Sequence, residues 1–317
     1  GLDLIAGLGA VALLAPLMRR LSFDRWTASA ASLLFAVAPL HVRLSVTWNR
    51  YVLLGLLTLA GAVLLLDWLG QRRPLDLLGA VAAIVLAPQC RPEAAIVPVA
   101  MIGLVAVWRY SRPGTAHAER VVPRSLWLAV AAAALLLVLP ILHLAGFALD
   151  LPEWSHHIDP LERDARARWL LIFATDHNAF LSAEYTPQLW APLALLGTLL
   201  PAASNRLATA WLFAFAAAAT ALVCSSNIDG ALLSARYHLF AMPFWLALTA
   251  VGLSRLVWQL RRWADRGPAE PAPTRRRLGA LVSGVAVVAL VTPVVFPLAR
   301  TQRVSTVDAE YHFLRDH

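Results

Sequence analysis

Three arginines stand beside long apolar stretches of the chain and could bind phosphate. They are Arg50, Arg91 and Arg236. A guanidinium group binds phosphate oxygens through two parallel hydrogen bonds and stays charged at any physiological pH. We therefore predict that these side chains bind the phosphate of a lipid-linked substrate. The alternative is that each binds the phosphates of ordinary membrane lipids or pairs with an acid such as Glu93.

A second group of chemically capable residues lies on the polar segment 149–187. Histidine and aspartate side chains can act as general acids or bases, and both types bind divalent metals. The alternative is that these side chains are simply solvated, and neither the catalytic base nor a metal site can be assigned. The candidates for acid or base are Asp159, Asp176 and His177, and His156 and His157 lie on the same segment. Glu93 and Tyr237, which lie elsewhere in the chain beside Arg91 and Arg236, are further polar candidates.

The composition excludes an ordinary soluble enzyme as the carrier of these residues. Of the 317 residues, 59% are hydrophobic and 15% are charged, whereas soluble domains have roughly 45–50% apolar and about 25% charged residues. The apolar residues fall into long blocks, and only lipid can cover so many long apolar helices. The chain is predicted to be an all-α, polytopic integral membrane protein.

About ten transmembrane helices are predicted. Prolines close to the ends of two blocks, Pro39 and Pro88, predict that those helices end at one membrane face. The ten blocks are 1–18, 26–40, 51–69, 75–89, 94–108, 125–148, 188–203, 206–224, 237–257 and 278–298.

The basic residues between the blocks predict the orientation. The chain has 27 Lys and Arg against 19 Asp and Glu, a net charge of +8. When alternate connections are placed in the cytoplasm, most of the arginines lie there and most of the acids lie outside. The basic excess is therefore a topology signal and indicates no nucleic-acid partner. The candidate site falls on the extracytoplasmic face of the plasma (inner) membrane.

The transmembrane domain is predicted to span residues 1–298. It includes the outer loop 149–187, in which Asp159 and the following proline indicate a helix lying along the membrane surface. It also includes a cytoplasmic linker over 258–277, and residues 299–317 are predicted to begin a soluble extracytoplasmic domain. Because the chain begins with Gly1 and enters an apolar run at once, we expect it to be a piece of a longer protein.

Three short motifs, taken in order, resemble the GT-C superfamily of membrane glycosyltransferases. The resemblance is to the protein-mannosyltransferase-like and lipid A aminoarabinose-transferase-like branch, over about residues 1–257. The chain would begin at the second helix of that family. The motifs are Ala36-Val37-Ala38-Pro39-Leu40-His41-Val42-Arg43-Leu44-Ser45 followed by Arg50-Tyr51, then Arg91-Pro92-Glu93, and then Arg236-Tyr237 with Met242-Pro243.

The resemblance implies a transferase that moves a sugar from a polyprenyl-phosphate donor to a lipid, glycan or protein acceptor. Arg91 and Arg236, with Arg50, would hold the donor phosphate, and the acceptor side would be formed by His156, His157, Glu93 and Tyr237. The family uses a carboxylate as general base, often with a divalent metal ion. That carboxylate lies in the family's first outer loop, which would precede Gly1. Many relatives carry a further acid just before the Arg-x-Tyr element, but Asn49 stands before Arg50 here, which puts metal dependence in doubt.

Two other functions remain open. The stretch Asp176-His177-Asn178 resembles part of the O-antigen ligases and polymerases, which act on a polyprenyl-diphosphate glycan. A secondary transporter or flippase is the third possibility. Against it, the sequence shows no internal repeat that pairs two broken helices. Formation of a covalent product separates the transferases from the transporter.

Overall fold

The computed structural model describes residues 1–46, 50–90, 92–111, 186–187, 189–225, 238–265 and 284, and at 92–93, 222–225 and 263–265 it describes the backbone alone. The chain divides into two compact units, residues 1–259 and 260–317, and the packing below is that of the first unit. The predicted surface helix in 149–187, the blocks 125–148 and 278–298 and the tail 299–317 lie outside the described residues, apart from residues 186, 187 and 284.

The described residues are helical, with no strand among them, as the sequence predicts. Three short 3-10 helices, Pro92–Ala95, Ala203–Asn205 and His238–Phe240, stand between longer elements. The α-helices are α1 (Leu2–Arg20), α2 (Arg25–Val37), α3 (Pro39–Ser45), α4 (Arg50–Gln71), α5 (Pro74–Cys90), α6 (Ile96–Ser111), α7 (Trp190–Leu199), α8 (Arg206–Ser225) and α9 (Met242–Asp265).

Two of these helices, α1 and α4, are long and apolar enough to cross a membrane, and α2 with α3 would make a third span if the bent pair is one crossing. Leu2, Ile5 and Leu8 on α1 are all more than 60% exposed. Apolar side chains of this size are stable in such exposure when lipid surrounds them. These residues support the assignment to the membrane proteins. The number of ten transmembrane helices stays a prediction.

The two proline predictions have different outcomes. At Pro39 the predicted helix end is found: α2 ends at Val37, and α3 begins at Pro39 after a bend of 59°. That this end lies at a membrane face stays a prediction. Proline suits the first position of a helix because its missing N–H has no intrahelical partner there. At Pro88 the predicted end is two residues early, since α5 continues to Cys90. In the last turn a proline removes one hydrogen bond and blocks no further turn.

Two blocks form helices of unexpected length. The block 188–203 yields only α7, ten residues long, or about 15 Å at 1.5 Å per residue, roughly half the thickness of a bilayer core. The block 237–257 yields α9, which continues to Asp265. The first eight residues of the segment predicted as a linker, 258–277, are therefore helical.

The packing of the N-terminal half is centred on α4. Helix α1 packs against α2 and α4, while α4 also packs against α5 and α6. Leu14 and Leu17 of α1 and Leu54 and Leu59 of α4 are fully buried. A side chain buried in this way is stabilised by dense contact with its neighbours, which is the main packing force between helices in lipid.

An ion pair joins the last turns of α1 and α4. Arg20 Nε and Nη2 donate to the two carboxylate oxygens of Asp67, each at 2.6 Å. The bundle end that holds this pair is called the Asp67 end below. The opposite end, where α4 begins and α5 finishes, is called the Arg50 end.

Replacing Asp67 by asparagine is expected to destabilise the protein by about 1–3 kcal/mol, because a charge-assisted bidentate pair is lost and a partly buried guanidinium is left without its acid. Thermal unfolding in detergent measures the loss. A double-mutant cycle compares the wild type, Asp67→Asn, Arg20→Leu and the variant that carries both changes. Effects of the two single variants that simply add in the double variant would show that the pair contributes nothing.

Candidate functional site

Arg50 is the one of the three predicted phosphate-binding arginines that the structure describes. It is the first residue of α4 and is exposed. Its guanidinium lies close enough to the thiol of Cys90, the last residue of α5, for an electrostatic interaction. Because Cys90 directly precedes Arg91 in the sequence, α5 ends at the Arg50 end just before the second predicted arginine. Arg91 and Arg236 themselves lie outside the described residues.

The elements next to Arg91 and Arg236 pack against α4, the helix that Arg50 begins. Arg50 begins α4, and α5, which precedes Arg91 in the sequence, packs along it. The 3-10 helix His238–Phe240, which follows Arg236 by two residues, also packs against α4. Leu239 and Phe240 anchor it, with 1% and 0% exposure. The fold therefore brings the elements that flank Arg91 and Arg236 to the helix that begins at Arg50, which the sequence motifs alone do not predict.

The remaining candidates are not placed by the structure. Glu93 belongs to the 3-10 helix Pro92–Ala95, of which its backbone alone is described. The other candidates lie outside the described residues, so their roles stay predictions. They are His156, His157, Asp159, Asp176, His177 and Tyr237.

The described part of the chain offers no metal centre. Within residues 1–46, 50–90 and the other described ranges, no three His, Cys, Asp or Glu side chains come together in a ligand set. The possible divalent cation therefore stays an expectation from the family resemblance. No step of the chemistry below depends on it.

Asp24 is an acid of the described region whose role is structural. Its Oδ1 accepts hydrogen bonds from the backbone N–H groups of Trp26 and Thr27 at 2.9 and 3.0 Å, and its Oδ2 accepts one from Thr27 Oγ1. Burial would raise the pKa of the Asp24 carboxyl, but these hydrogen bonds together outweigh it and hold the pKa below 3.8. The carboxylate is thus committed to capping α2 and is no candidate for the general base.

His41 and Ser45 are polar residues of the motif that precedes Arg50, and the sequence interpretation gave them no role. Both lie on α3 and are buried, with 4% and 5% exposure. The signal was available, since a histidine in an apolar stretch is costly in a membrane protein and is functional by default. A phosphate ligand favours arginine over a neutral histidine, so a search for phosphate-binding residues does not select His41.

The comparisons with known proteins agree with this architecture. Residues 2–143 match the family model described as dolichyl-phosphate-mannose-protein mannosyltransferase. The fold is similar to the archaeal oligosaccharyltransferase AglB from Archaeoglobus fulgidus, solved in complex with an inhibitory peptide and a dolichol-phosphate, with a TM-score of 0.52 and 14% sequence identity. A search among curated proteins gave no match.

The two similarities differ in extent. The family model covers less than half of the chain. The structural similarity covers 94% of this chain and 44% of the AglB chain, so the chain spans less than half the length of that protein. Together they confirm the resemblance found in the sequence: the fold is similar to that of AglB, a GT-C enzyme, and residues 2–143 match the protein-mannosyltransferase family model.

Proposed function

We propose that this chain is the membrane part of a glycosyltransferase that takes a sugar from a polyprenyl-phosphate donor and gives it to an acceptor at the extracytoplasmic face. The observation that carries the proposal is the match of residues 2–143 to a family named for a dolichyl-phosphate-mannose donor. The structural relative was solved with a dolichol-phosphate, which supports the same class of donor.

A protein or peptide is the favoured acceptor among the lipid, glycan and protein classes. The matching family is named for transfer to protein, and the structural relative was solved with an inhibitory peptide. Mannose is the first sugar to test for the same reason.

The proposed reaction is a displacement at the anomeric carbon of the sugar. A bond forms between the acceptor oxygen and C1, while the bond from C1 to the phosphate oxygen breaks. Polyprenyl phosphate leaves with the bonding electrons, and the acceptor proton passes to a general base. The arginines bind the phosphate and stabilise the negative charge that grows on it as it leaves.

The position of Arg50 suits this role. It stands at the N-terminus of α4, where the helix dipole adds to its positive charge and favours an anion. It is exposed at a bundle end, so a lipid phosphate at the membrane surface can reach it without passing through the apolar core. The isoprenoid chain of the donor would remain in lipid.

The test is transfer by the full-length protein that contains this chain, because the family's general base is expected before Gly1. The protein is placed in proteoliposomes supplied with radiolabelled polyprenyl-phosphate mannose and peptides that contain serine and threonine. We expect label in the peptide fraction, at a rate that depends on the acceptor. Heat-denatured protein is the control.

Other outcomes would replace the proposal. Label that crosses the bilayer without entering a product would identify a flippase. Product formed only from a polyprenyl-diphosphate glycan would identify the ligase-type reaction that Asp176 and His177 suggest.

A further inference from the structure

Two buried polar side chains share one face of α3. His41 and Ser45 stand one helical turn apart, and both border Gly7 of α1. A methyl group on Gly7 would collide with Ser45 Oγ and would lie 3.4 Å from His41 Cε1. The glycine therefore allows α3 to bring both polar groups against α1.

The orientation of the His41 ring leaves one nitrogen available. The ring forms a hydrogen bond with the backbone of Gly7, and its face packs on Phe35 with 4.0 Å between ring centroids. Within the part of the chain that the structure describes, Nδ1 has no hydrogen-bond partner, so Nε2 makes the bond to Gly7. When Nε2 donates to the Gly7 carbonyl, Nδ1 carries a lone pair and can only accept.

Ser45 Oγ is also buried without a hydrogen-bond partner among the described residues. A serine inside a helix usually bonds to the carbonyl one turn earlier, and Thr58 on α4 does so with Leu54 at 2.8 Å. A buried polar atom without a partner costs about 1–3 kcal/mol. Two such atoms on one short helix therefore point to a group that completes them.

The spacing and chemistry of the pair fit one hydroxyl group. Side chains one turn apart have Cβ atoms roughly 5–6 Å from each other, a gap that one oxygen with two hydrogen bonds of about 2.8 Å can bridge. A hydroxyl can donate to His41 Nδ1 while it accepts from Ser45 Oγ. A phosphate cannot do this, because its oxygens have no proton to donate to Nδ1 when it is fully ionised.

We infer that His41 and Ser45 form a binding point for a hydroxyl group of the sugar carried by the lipid donor. The inference rests on the proposed function, which supplies such a sugar next to a phosphate. Helix α3 packs against α4, and residues 47–49 alone separate it in sequence from Arg50. The hydroxyl point and the predicted phosphate-binding arginine are thus on consecutive helices, as a sugar phosphate requires.

The test compares two lipids, polyprenyl-phosphate mannose and bare polyprenyl phosphate, for binding to the full chain in nanodiscs. The wild type should bind the mannosylated lipid roughly three- to tenfold more tightly, the effect of about one hydrogen bond. His41→Gln keeps an N–H donor for Gly7 and removes the acceptor at Nδ1. This variant should lose the preference for mannose and bind the bare lipid as the wild type does.

Ser45→Ala is the second variant and makes the same test if His41→Gln does not fold. Thr58→Val is the matched control, since it removes a buried hydroxyl that already has its own backbone partner, and it should keep the preference. A preference that survives both His41→Gln and Ser45→Ala would overturn the inference. A wild type that binds the two lipids equally would overturn it as well.

The polyprenyl-phosphate site and the hydroxyl-binding pair His41 and Ser45 can be refuted separately. If the wild type binds the bare lipid and shows no preference for mannose, the polyprenyl-phosphate site is still supported, and only the role of His41 and Ser45 in binding a sugar hydroxyl is refuted. A wild type that binds neither lipid overturns the proposed function and this inference with it.

Discussion

Alanine in place of Arg91 or Arg236 is expected to abolish sugar transfer while membrane insertion remains normal, and Arg50→Ala is expected to weaken donor binding by roughly 10- to 150-fold. The range corresponds to the loss of a charge-assisted hydrogen bond to phosphate, about 1.5–3 kcal/mol. Transfer of labelled mannose and equilibrium binding of polyprenyl-phosphate mannose measure the two effects.

The reason for so large an effect is the charge that the leaving group gains. When the bond from C1 to the phosphate oxygen breaks, the phosphate acquires a further negative charge close to lipid. Hydrogen bonds in such a setting are stronger than in bulk water. A guanidinium group that is hydrogen-bonded to the phosphate binds that charge more tightly as it grows, so its loss lowers the transfer rate as well as binding.

Arg73→Ala provides the matched control. Arg73 is exposed, as Arg50 is, but it follows the C-terminus of α4 and therefore lies at the Asp67 end. It should bind donor as the wild type does. Arg50→Lys keeps the charge and loses the bidentate geometry, so an intermediate affinity is expected. Full activity in both Arg91→Ala and Arg236→Ala would refute the phosphate site.

Alanine at Gly252 is expected to destabilise the protein by about 3 kcal/mol or more. Helices α7 and α9 cross at this glycine, and an added methyl group would collide with the carbonyl oxygen of Leu193 and stand 2.8 Å from the carbonyl carbon. These are backbone atoms, which cannot rotate away as a side chain can. Overpacking costs about 1–3 kcal/mol where side chains adjust, so a rigid neighbour places the cost at or above the upper limit.

The same crossing is tight from the other side. A methyl group on Gly197 would collide with the carbonyl oxygen of Leu248 and stand 2.8 Å from the amide nitrogen of Gly252. Thr249 Oγ1 bonds to the carbonyl oxygen of Trp190 at 3.2 Å, which fixes the approach. Small residues at such crossings allow helix backbones to make close contact in membranes.

The control for Gly252→Ala is Gly55→Ala on α4, because no atom lies within 4 Å of a methyl group added there. That variant should be as stable as the wild type or more so, since alanine favours the helix. Thermal unfolding in detergent compares the two. Equal stability of Gly252→Ala and Gly55→Ala would show that α7 and α9 do not approach so closely.

Much of the helical architecture could be predicted from apolar length and from arginines at the boundaries. The blocks 1–18 and 51–69 correspond closely to α1 and α4, because an uninterrupted apolar run has no other stable form in lipid. The length of α7 could not be predicted. Its C-terminal end, just before Pro201, fits the restriction that a proline places on the residue before it, but no capping residue marks its start at Trp190.

The sequence also does not predict which residues far apart in the chain form contacts. The pattern places Arg20 and Asp67 at boundaries but says nothing of which acid meets which base. At the site, a phosphate role for Arg50 follows from residue type, whereas its proximity to Cys90 follows from the α4–α5 hairpin. The buried pair of His41 and Ser45 emerges only when α3 is bent back towards α1.

The Arg20–Asp67 pair also bears on biogenesis. Its members are 47 residues apart, so Arg20 is synthesised well before its partner. An arginine at the end of an inserted helix can stay unpaired with little loss of free energy, because its long side chain reaches the head groups of the lipid. An aspartate has no such reach. The order of the two residues along the chain therefore means that the short acidic side chain finds a base already in place when α4 enters the membrane.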